Sequence, residues 1–146
     1  MKCSTALRLK IPSTLAAIEQ LCERARLWLE ANGLHEDWFV FMLLLRESLN
    51  NAVKHGNGSD PSLLVDCWLR KGLRWLYISV GDCGAGFDWG RFSTHQACYG
   101  DTCGRGLEIY RLYADKVIFN RRGNRVLLRL EMRKGKDSGL NSNRAE

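Results

Sequence analysis

Three polar side chains at regular spacing give the first indication of chemistry in this chain. Glu47, Asn51 and His55 follow one another at intervals of four residues, so a helix would place them on one face. Asparagine is a poor helix former, and Asn50 precedes Asn51 directly. An asparagine amide also offers a neutral oxygen to a hard cation such as Mg²⁺. The ordinary alternative for a lone Glu/Asn pair is a solvated helix face.

A second group of residues follows an apolar stretch that predicts a strand. Asp82 stands at its end, with Gly84 and Gly86 close behind it. Glycines allow the backbone to approach a flat ligand closely and to adopt positive φ angles. An acid at that position can accept a hydrogen bond from the exocyclic amine of a base, although a simple turn with two glycines would have the same sequence.

A third group, Gly104, Arg105, Gly106 and Leu107, is predicted to open a short helix over residues 107–113. Free amides and the helix dipole at such an N-terminus bind phosphate, and the alternative is a flexible helix start. The chain contains no G-x-x-x-x-G-K-[ST] loop, no dinucleotide-binding fingerprint and no G-x-S-x-G elbow. Its three histidines show no metal-ligand spacing.

The elements that must position these groups follow in a simple order: strand, helix, helix, two strands, long loop, helix, two strands. Adjacent strands joined by tight turns form antiparallel pairs, and the helices would cover one face. The predicted fold class is therefore α/β, a two-layer α/β sandwich with a mixed, mostly antiparallel sheet. The predicted strands cover residues 5–11, 63–70, 74–80, 116–120 and 125–133, and the longer helices run from the N-cap Ser13 to Asn32-Gly33 and over 36–55.

Composition indicates one globular domain. The chain has 146 residues, 45% of them hydrophobic, which is enough for one core. Neither a membrane-spanning run nor a secretion signal is present in the sequence, so a cytoplasmic protein is expected, with a domain over residues 1–134 and a polar, disordered tail over 135–146. The net charge of +6 suits an acidic partner. The six cysteines are scattered without a C-x-x-C pair, which favours reduced thiols.

Taken together, the three groups resemble the nucleotide site of the GHKL ATPases. E-x-x-x-N-A-x-x-H-G begins at Glu47, D-x-G-x-G-F begins at Asp82, and G-R-G-L begins at Gly104. Gyrase, the ninety-kilodalton heat-shock chaperone, mismatch-repair MutL and the histidine kinases share this pattern, and the predicted element order is similar to their Bergerat fold. The resemblance covers about residues 5–133.

Within that superfamily, the chain looks like an anti-sigma-factor serine kinase of bacterial partner-switching systems. No histidine precedes His35, and we expect neither the dimerisation helices of a histidine kinase nor the following domain of gyrase, MutL or the chaperone. The resemblance implies a homodimer that sequesters a sigma factor or similar regulator. It also implies phosphorylation of a serine on a STAS-domain anti-anti-sigma protein, with ATP and Mg²⁺ as cofactors and without direct contact to nucleic acid or membrane.

The resemblance also implies a role for each matching residue. Glu47 would be the general base, and Asn51 would bind the nucleotide through Mg²⁺. Asp82 would accept a hydrogen bond from the adenine amine. The remaining ATP-binding residues would be Gly84 and Gly86 beneath the base and the amides of Gly104, Arg105, Gly106 and Leu107 at the phosphates.

Two alternatives remain open from the sequence. Some relatives carry an arginine shortly before the last glycine motif, where this chain has Asp101-Thr102-Cys103, although Arg91 or Arg105 could substitute for it. This departure favours an ATP-binding module that sequesters its partner without transferring phosphate. The other alternative, nucleic-acid binding by the arginine-rich final strands, is disfavoured because no aromatic residues alternate with those arginines.

Overall fold

A computed structural model describes residues 4–88 and 102–133. For residues 102–105 it describes the backbone alone. Its elements in chain order are β1 (Ala6–Pro12), α1 (Leu15–Ala31), α2 (Trp38–Asn50), a π-helical turn (Asn51–Gly56), β2 (Leu64–Lys71), β3 (Trp75–Gly81), α3 (Thr102–Tyr113), β4 (Lys116–Phe119) and β5 (Arg125–Glu131).

The five described strands form one sheet in the order β1-β2-β3-β5-β4. Every neighbouring pair is antiparallel, with Leu9 opposite Cys67 and Ile78 opposite Leu128 in the register. The predicted α/β fold class is therefore confirmed, and the described sheet is wholly antiparallel.

The core lies between the helices and one face of this sheet. Alternate residues of β2 and β5 are buried, as one-sided packing requires. Phe41, Leu44 and Leu45 of α2 are completely buried against it. Burial of these large apolar side chains, at about 25 cal/mol per Å² of apolar surface, is the main force that holds α2 across the sheet.

The first helix begins one residue later than predicted. Thr14, not Ser13, is the N-cap, and its hydroxyl accepts a hydrogen bond from the amide of Ala17. Ser13 is buried and donates instead to the carbonyl of Leu63 at 2.6 Å. The predicted end at Asn32-Gly33 is confirmed, because Asn32 is the C-cap and Gly33 has a φ of +70°.

The second helix does not continue regularly to His55 as predicted. It ends at Asn50, and the next six residues form a π-helical turn in which the Asn57 amide bonds to the Ala52 carbonyl five residues earlier. The extra residue per turn follows the two weak helix formers Asn50 and Asn51. Such turns frequently occur at functional sites.

Helix α3 begins five residues earlier than predicted, at Thr102. Gly104 and Arg105 therefore lie in the first turn of the helix, whereas Gly106 and Leu107 lie inside it. The amides of Gly106 and Leu107 lie beyond the first turn, in which the unpaired N–H groups of a helix are found. Packing of α3 against α2 accounts for a helix that two glycines disfavour.

The outer face of the sheet combines arginines with aromatic rings from neighbouring strands. Arg129 lies over the Trp75 ring, 4.0 Å from its centroid, and pairs with Tyr77 across β3 and β5. Arg125 instead donates to Asp66 at 2.7 Å. The arginines of β5 thus lie on the half-exposed face as predicted, and the neighbouring strand β3 supplies the aromatic rings beside them.

Within the described ranges, no helix has the length and apolar character needed to cross a bilayer. Cys22, Cys67 and Cys83 are free thiols, as expected, and burial raises the pKa of Cys67 to about 12. Cys98, Arg91 and the predicted tail over 135–146 lie outside the described residues, as do the side chains of Cys103 and Arg105.

Candidate functional site

A cavity of about 410 Å³ lies between the π-helical turn, α3 and the ends of β3 and β5. Four of the predicted site residues line it, namely Asn51, Asp82, Gly86 and Leu107. Its volume is within the range of small-molecule sites, which extends from about 300 to 1,000 Å³. The structure therefore brings all three sequence groups to one concave surface.

Asn51 is held at this cavity by α3. Its Nδ2 donates to the hydroxyl of Tyr110 at 3.0 Å, so its amide oxygen points elsewhere. Gly106 lies directly against the same amide: a Cβ added there would be 2.6 Å from Asn51 Nδ2. The second glycine of G-R-G-L thus gives space to the asparagine that the resemblance assigns to Mg²⁺.

Glu47 lies one helical turn before Asn51 and is half-buried. It is not among the residues that line the cavity. Burial raises the pKa of Tyr110, and the negative charge of Glu47 acts in the same direction. Glu47 thus precedes Asn51 by one turn of the same helical segment, outside the set of residues that line the cavity.

Asp82 is partly buried, and this burial raises the pKa of its carboxyl group. The amide of Gly84 donates to its Oδ1 at 2.8 Å, which favours the ionised form and opposes the effect of burial. Gly56 lies against the same carboxyl group, with no room for a Cβ between them. Gly84 thus contacts the Asp82 carboxylate, although it does not line the cavity.

The sequence analysis missed Asn124, which fixes the backbone at Asp82. The Asp82 amide donates to the Asn124 carbonyl at 2.9 Å, and Asn124 Nδ2 donates to the Asp82 carbonyl at 3.1 Å. This reciprocal pair connects the loop after β3 to the turn between β4 and β5. An asparagine after Gly123 in the Arg-Arg-Gly-Asn turn was the only available signal, and it is typical of any turn.

Two aromatic residues form an apolar wall that was also missed. Phe87 and Phe119 both line the cavity and meet edge to face, with ring centroids 5.2 Å apart. Val80 and Val126 add aliphatic surface from the ends of β3 and β5. Tyr110, likewise missed, could have been found from its helical spacing after Gly106 and Leu107.

The loop after β3 and the β4–β5 turn are in backbone contact. Gly86 and Gly123 both have a φ of +79°. A Cβ at Gly86 would collide with the carbonyl of Arg122, and one at Gly123 would collide with the backbone of Phe87. Both positions therefore require glycine, for conformation and for space.

Gly104 and Arg105 lie in the first turn of α3, where backbone amides are free to bind an anion. The cavity as a whole is a largely apolar slot that the carboxylic acid Asp82 and the amide Asn51 also line. This arrangement suits a flat heterocycle that carries an amine, extended by a cation-bound anionic group. Among the residues that the structure describes, no cluster of three His, Cys, Asp or Glu side chains could hold a metal alone.

Comparison with known proteins supports this interpretation of the cavity. The family model described as a histidine kinase-like ATPase domain matches residues 11–130, which include every element from α1 to β4 and nearly all of β5. No curated protein matches the chain.

Proposed function

The chain belongs to the histidine kinase-like ATPase domain family, and from this premise we propose that it is an ATP-dependent protein serine kinase that acts as an anti-sigma factor. It would phosphorylate a STAS-domain anti-anti-sigma protein and sequester a sigma factor or similar regulator. The observation that supports the proposal most directly is the single cavity lined by Asn51, Asp82, Gly86 and Leu107, since these residues come from all three motifs.

The nucleotide would bind with its base in the apolar slot. Asp82 would accept the adenine amine on Oδ2, because the Gly84 amide already occupies Oδ1. The side chains of Phe87 and Phe119 would contact the base, while the first-turn amides of α3, including those of Gly104 and Arg105, would hold phosphate oxygens. ATP binding is what the family predicts for such a site.

Mg²⁺ fits the donor set around Asn51. The Asn51 amide oxygen is a hard neutral ligand, and Tyr110 fixes the orientation of the amide. Because Mg²⁺ is usually held by one or two protein oxygens together with phosphates and water, a single amide ligand is compatible with a magnesium–nucleotide site. When bound there, Mg²⁺ would neutralise phosphate charge.

Glu47 would accept the proton of the partner's serine hydroxyl. The serine oxygen would then form a bond to the γ-phosphorus while the bond between that phosphorus and the β–γ bridging oxygen breaks, which releases ADP. Phosphoryl transfer requires positioning and charge neutralisation more than covalent participation by the protein. The support for this role is the position of Glu47 one helical turn before Asn51, which lines the cavity.

Glu47→Ala is expected to lower serine phosphorylation by about 10²- to 10⁴-fold, the usual contribution of a general base, while ATP affinity changes little. The measurement uses labelled ATP with each STAS-domain protein of the native host, alongside ATP binding by calorimetry. Glu36→Ala, which changes an exposed glutamate before α2, is the matched control. Unchanged phosphorylation by Glu47→Ala would exclude Glu47 as the base.

A second candidate function is an ATP-dependent clamp that holds its partner without phosphorylating it. The motif Asp101-Thr102-Cys103, which stands where some relatives carry an arginine, favours this function. The same assay distinguishes the two, since a stable stoichiometric complex without labelled serine would support the clamp. In either case we propose a cytoplasmic homodimer without direct contact to nucleic acid or membrane, to be tested by light scattering and fractionation.

A further inference from the structure

Asn57 is a buried polar residue outside the three motifs, and all of its amide groups are used. Its side chain Nδ2 donates to Ser13 Oγ at 2.9 Å and to the Leu64 carbonyl at 3.2 Å. Its Oδ1 accepts from the Cys83 amide at 2.8 Å. Asn57, only 4% exposed, therefore joins the β1–α1 corner, the start of β2 and the loop after β3. Fully satisfied buried polar groups of this kind specify one arrangement of the segments they join.

The hydrogen bonds of Asn57 lie next to the Asp82 carboxylate on both chain segments. On one segment, Cys83 directly follows Asp82 and donates its amide to Asn57. On the other segment, Gly56 directly precedes Asn57 and lies against the Asp82 carboxyl group. A Cβ at Gly84 would also collide with the Gly56 carbonyl. The two segments are thus in contact on either side of the carboxylate, and the Asn57–Cys83 bond closes this contact.

We infer that Asn57 is a positioning residue that sets the place of the Asp82 carboxylate and thereby the preference of the site for adenine over guanine. This inference rests on the proposed function, because Asp82 must be the group that accepts the adenine amine. A hydrogen bond tolerates only about 2.7–3.2 Å between heavy atoms. Loss of the Asn57–Cys83 bond would let the loop shift out of that range.

The relative affinity of the site for adenine and guanine nucleotides reports this role directly. Guanine presents a carbonyl where adenine presents its amine, so a well-placed carboxylate accepts from ATP and repels GTP. A residue that only stabilised the fold would change the affinities for both nucleotides together. A positioning residue would change their ratio.

The test measures the dissociation constants of ATP and GTP by calorimetry for folded variants. Asn57→Ala is expected to weaken ATP binding about tenfold or more, the effect of losing one hydrogen bond to a charged group, with GTP nearly unchanged. Ser13→Ala is the matched control, because it removes one partner of Asn57 at an equally buried site but leaves the Cys83 bond. This variant should be less stable but should keep the wild-type ratio of ATP affinity to GTP affinity.

Asn57→Asp keeps an oxygen for the Cys83 amide and loses the donors to Ser13 and Leu64. It should therefore retain the preference for ATP despite lower stability, and it keeps the inference testable if Asn57→Ala does not fold. If Asn57→Ala kept the wild-type ratio of ATP affinity to GTP affinity, or if Asn57→Asp lost the preference for ATP, the role of Asn57 would be overturned. If the wild type bound ATP and GTP equally, or Asp82→Asn kept the preference for ATP, the role of Asp82 in the proposed function would fail instead.

Discussion

At the scale of single residues, Asp82 shows a conflict between binding and stability. Its carboxyl group is partly buried beside Gly56, and burial raises its pKa because the charged form loses hydration. The single amide of Gly84 offsets only part of this cost. Burial therefore disfavours the charged form of Asp82, and ionisable groups with pKa values shifted in this way are concentrated at functional sites.

We predict that Asp82→Asn changes the pH dependence of stability. Since the folded-state pKa of Asp82 is raised above its usual 3.8, the folded state binds the proton more tightly than the unfolded chain does. The wild type then loses stability relative to the variant as pH rises through the interval above 3.8, and the difference becomes constant once Asp82 is fully ionised. Asparagine retains an oxygen for the Gly84 amide.

Urea denaturation of both proteins at intervals from about pH 4 to about pH 7 measures this difference. Asp60→Asn is a suitable control, because bonds from Ser62 lower the pKa of exposed Asp60 below 3.8, so its effect on stability should be nearly constant across this pH range. A stability difference between wild type and Asp82→Asn that does not vary with pH would contradict the prediction.

At the scale of elements, the site depends on how closely α3 approaches the π-helical turn. Gly106 faces the Asn51 amide, and Tyr110, one turn later, holds the same amide by a hydrogen bond. The type and order of these elements could be predicted from apolar periodicity, which gave α1, the start of α2 and all five strands within two residues. The π-helical turn could not, because its C-cap residue, Asn57, has a side chain that bonds to Ser13, 44 residues away in the sequence.

Gly106→Ala is expected to weaken nucleotide binding while leaving the stability of the fold nearly unchanged. Alanine favours a helix over glycine by about 1 kcal/mol, which is similar in size to the loss of one hydrogen bond, so thermal stability should change little. Its Cβ, however, would lie 2.6 Å from Asn51 Nδ2, so the amide must move and its bond to Tyr110 must break. Binding of Mg²⁺–ATP should fall by about tenfold or more.

Thermal unfolding and calorimetric titration with Mg²⁺–ATP test this prediction together. Leu112→Ala, at an exposed position of the same helix, should leave nucleotide affinity unchanged. Wild-type affinity in Gly106→Ala would mean that the position of Asn51 does not control binding.

At the scale of the whole molecule, hydrogen bonds attach the end of β5 to residues that lie beside α2 and α3. The Glu131 amide donates to Asp115 Oδ2 at 2.6 Å, and the Arg133 amide donates to Asp37 Oδ1 at 3.0 Å. Asp37 is the N-cap residue of α2, but its side chain is buried and makes no capping hydrogen bond to that helix. A contact between residues 96 positions apart, such as Asp37 and Arg133, leaves no local pattern in a sequence, so it could not be predicted.

Removal of residues 135–146 is expected to change the free energy of unfolding by no more than about 0.5 kcal/mol, since the bonds of Glu131 and Arg133 are kept. A chain cut after residue 130 loses both bonds and should be measurably less stable. Urea denaturation of the three lengths provides the comparison. Strong destabilisation by the shorter deletion would show that the domain extends beyond residue 134.

The contact between Gly86 and Gly123 has a mechanical consequence. Because each backbone fills the space of a missing side chain on the other, neither loop can be displaced without the other. A regulator that bound the exposed arginines of that turn, Arg121 and Arg122, and displaced the turn would therefore also displace the loop after β3, which lines the cavity. Occupancy of the slot and docking at the turn would then influence each other to an equal degree, as thermodynamic linkage demands.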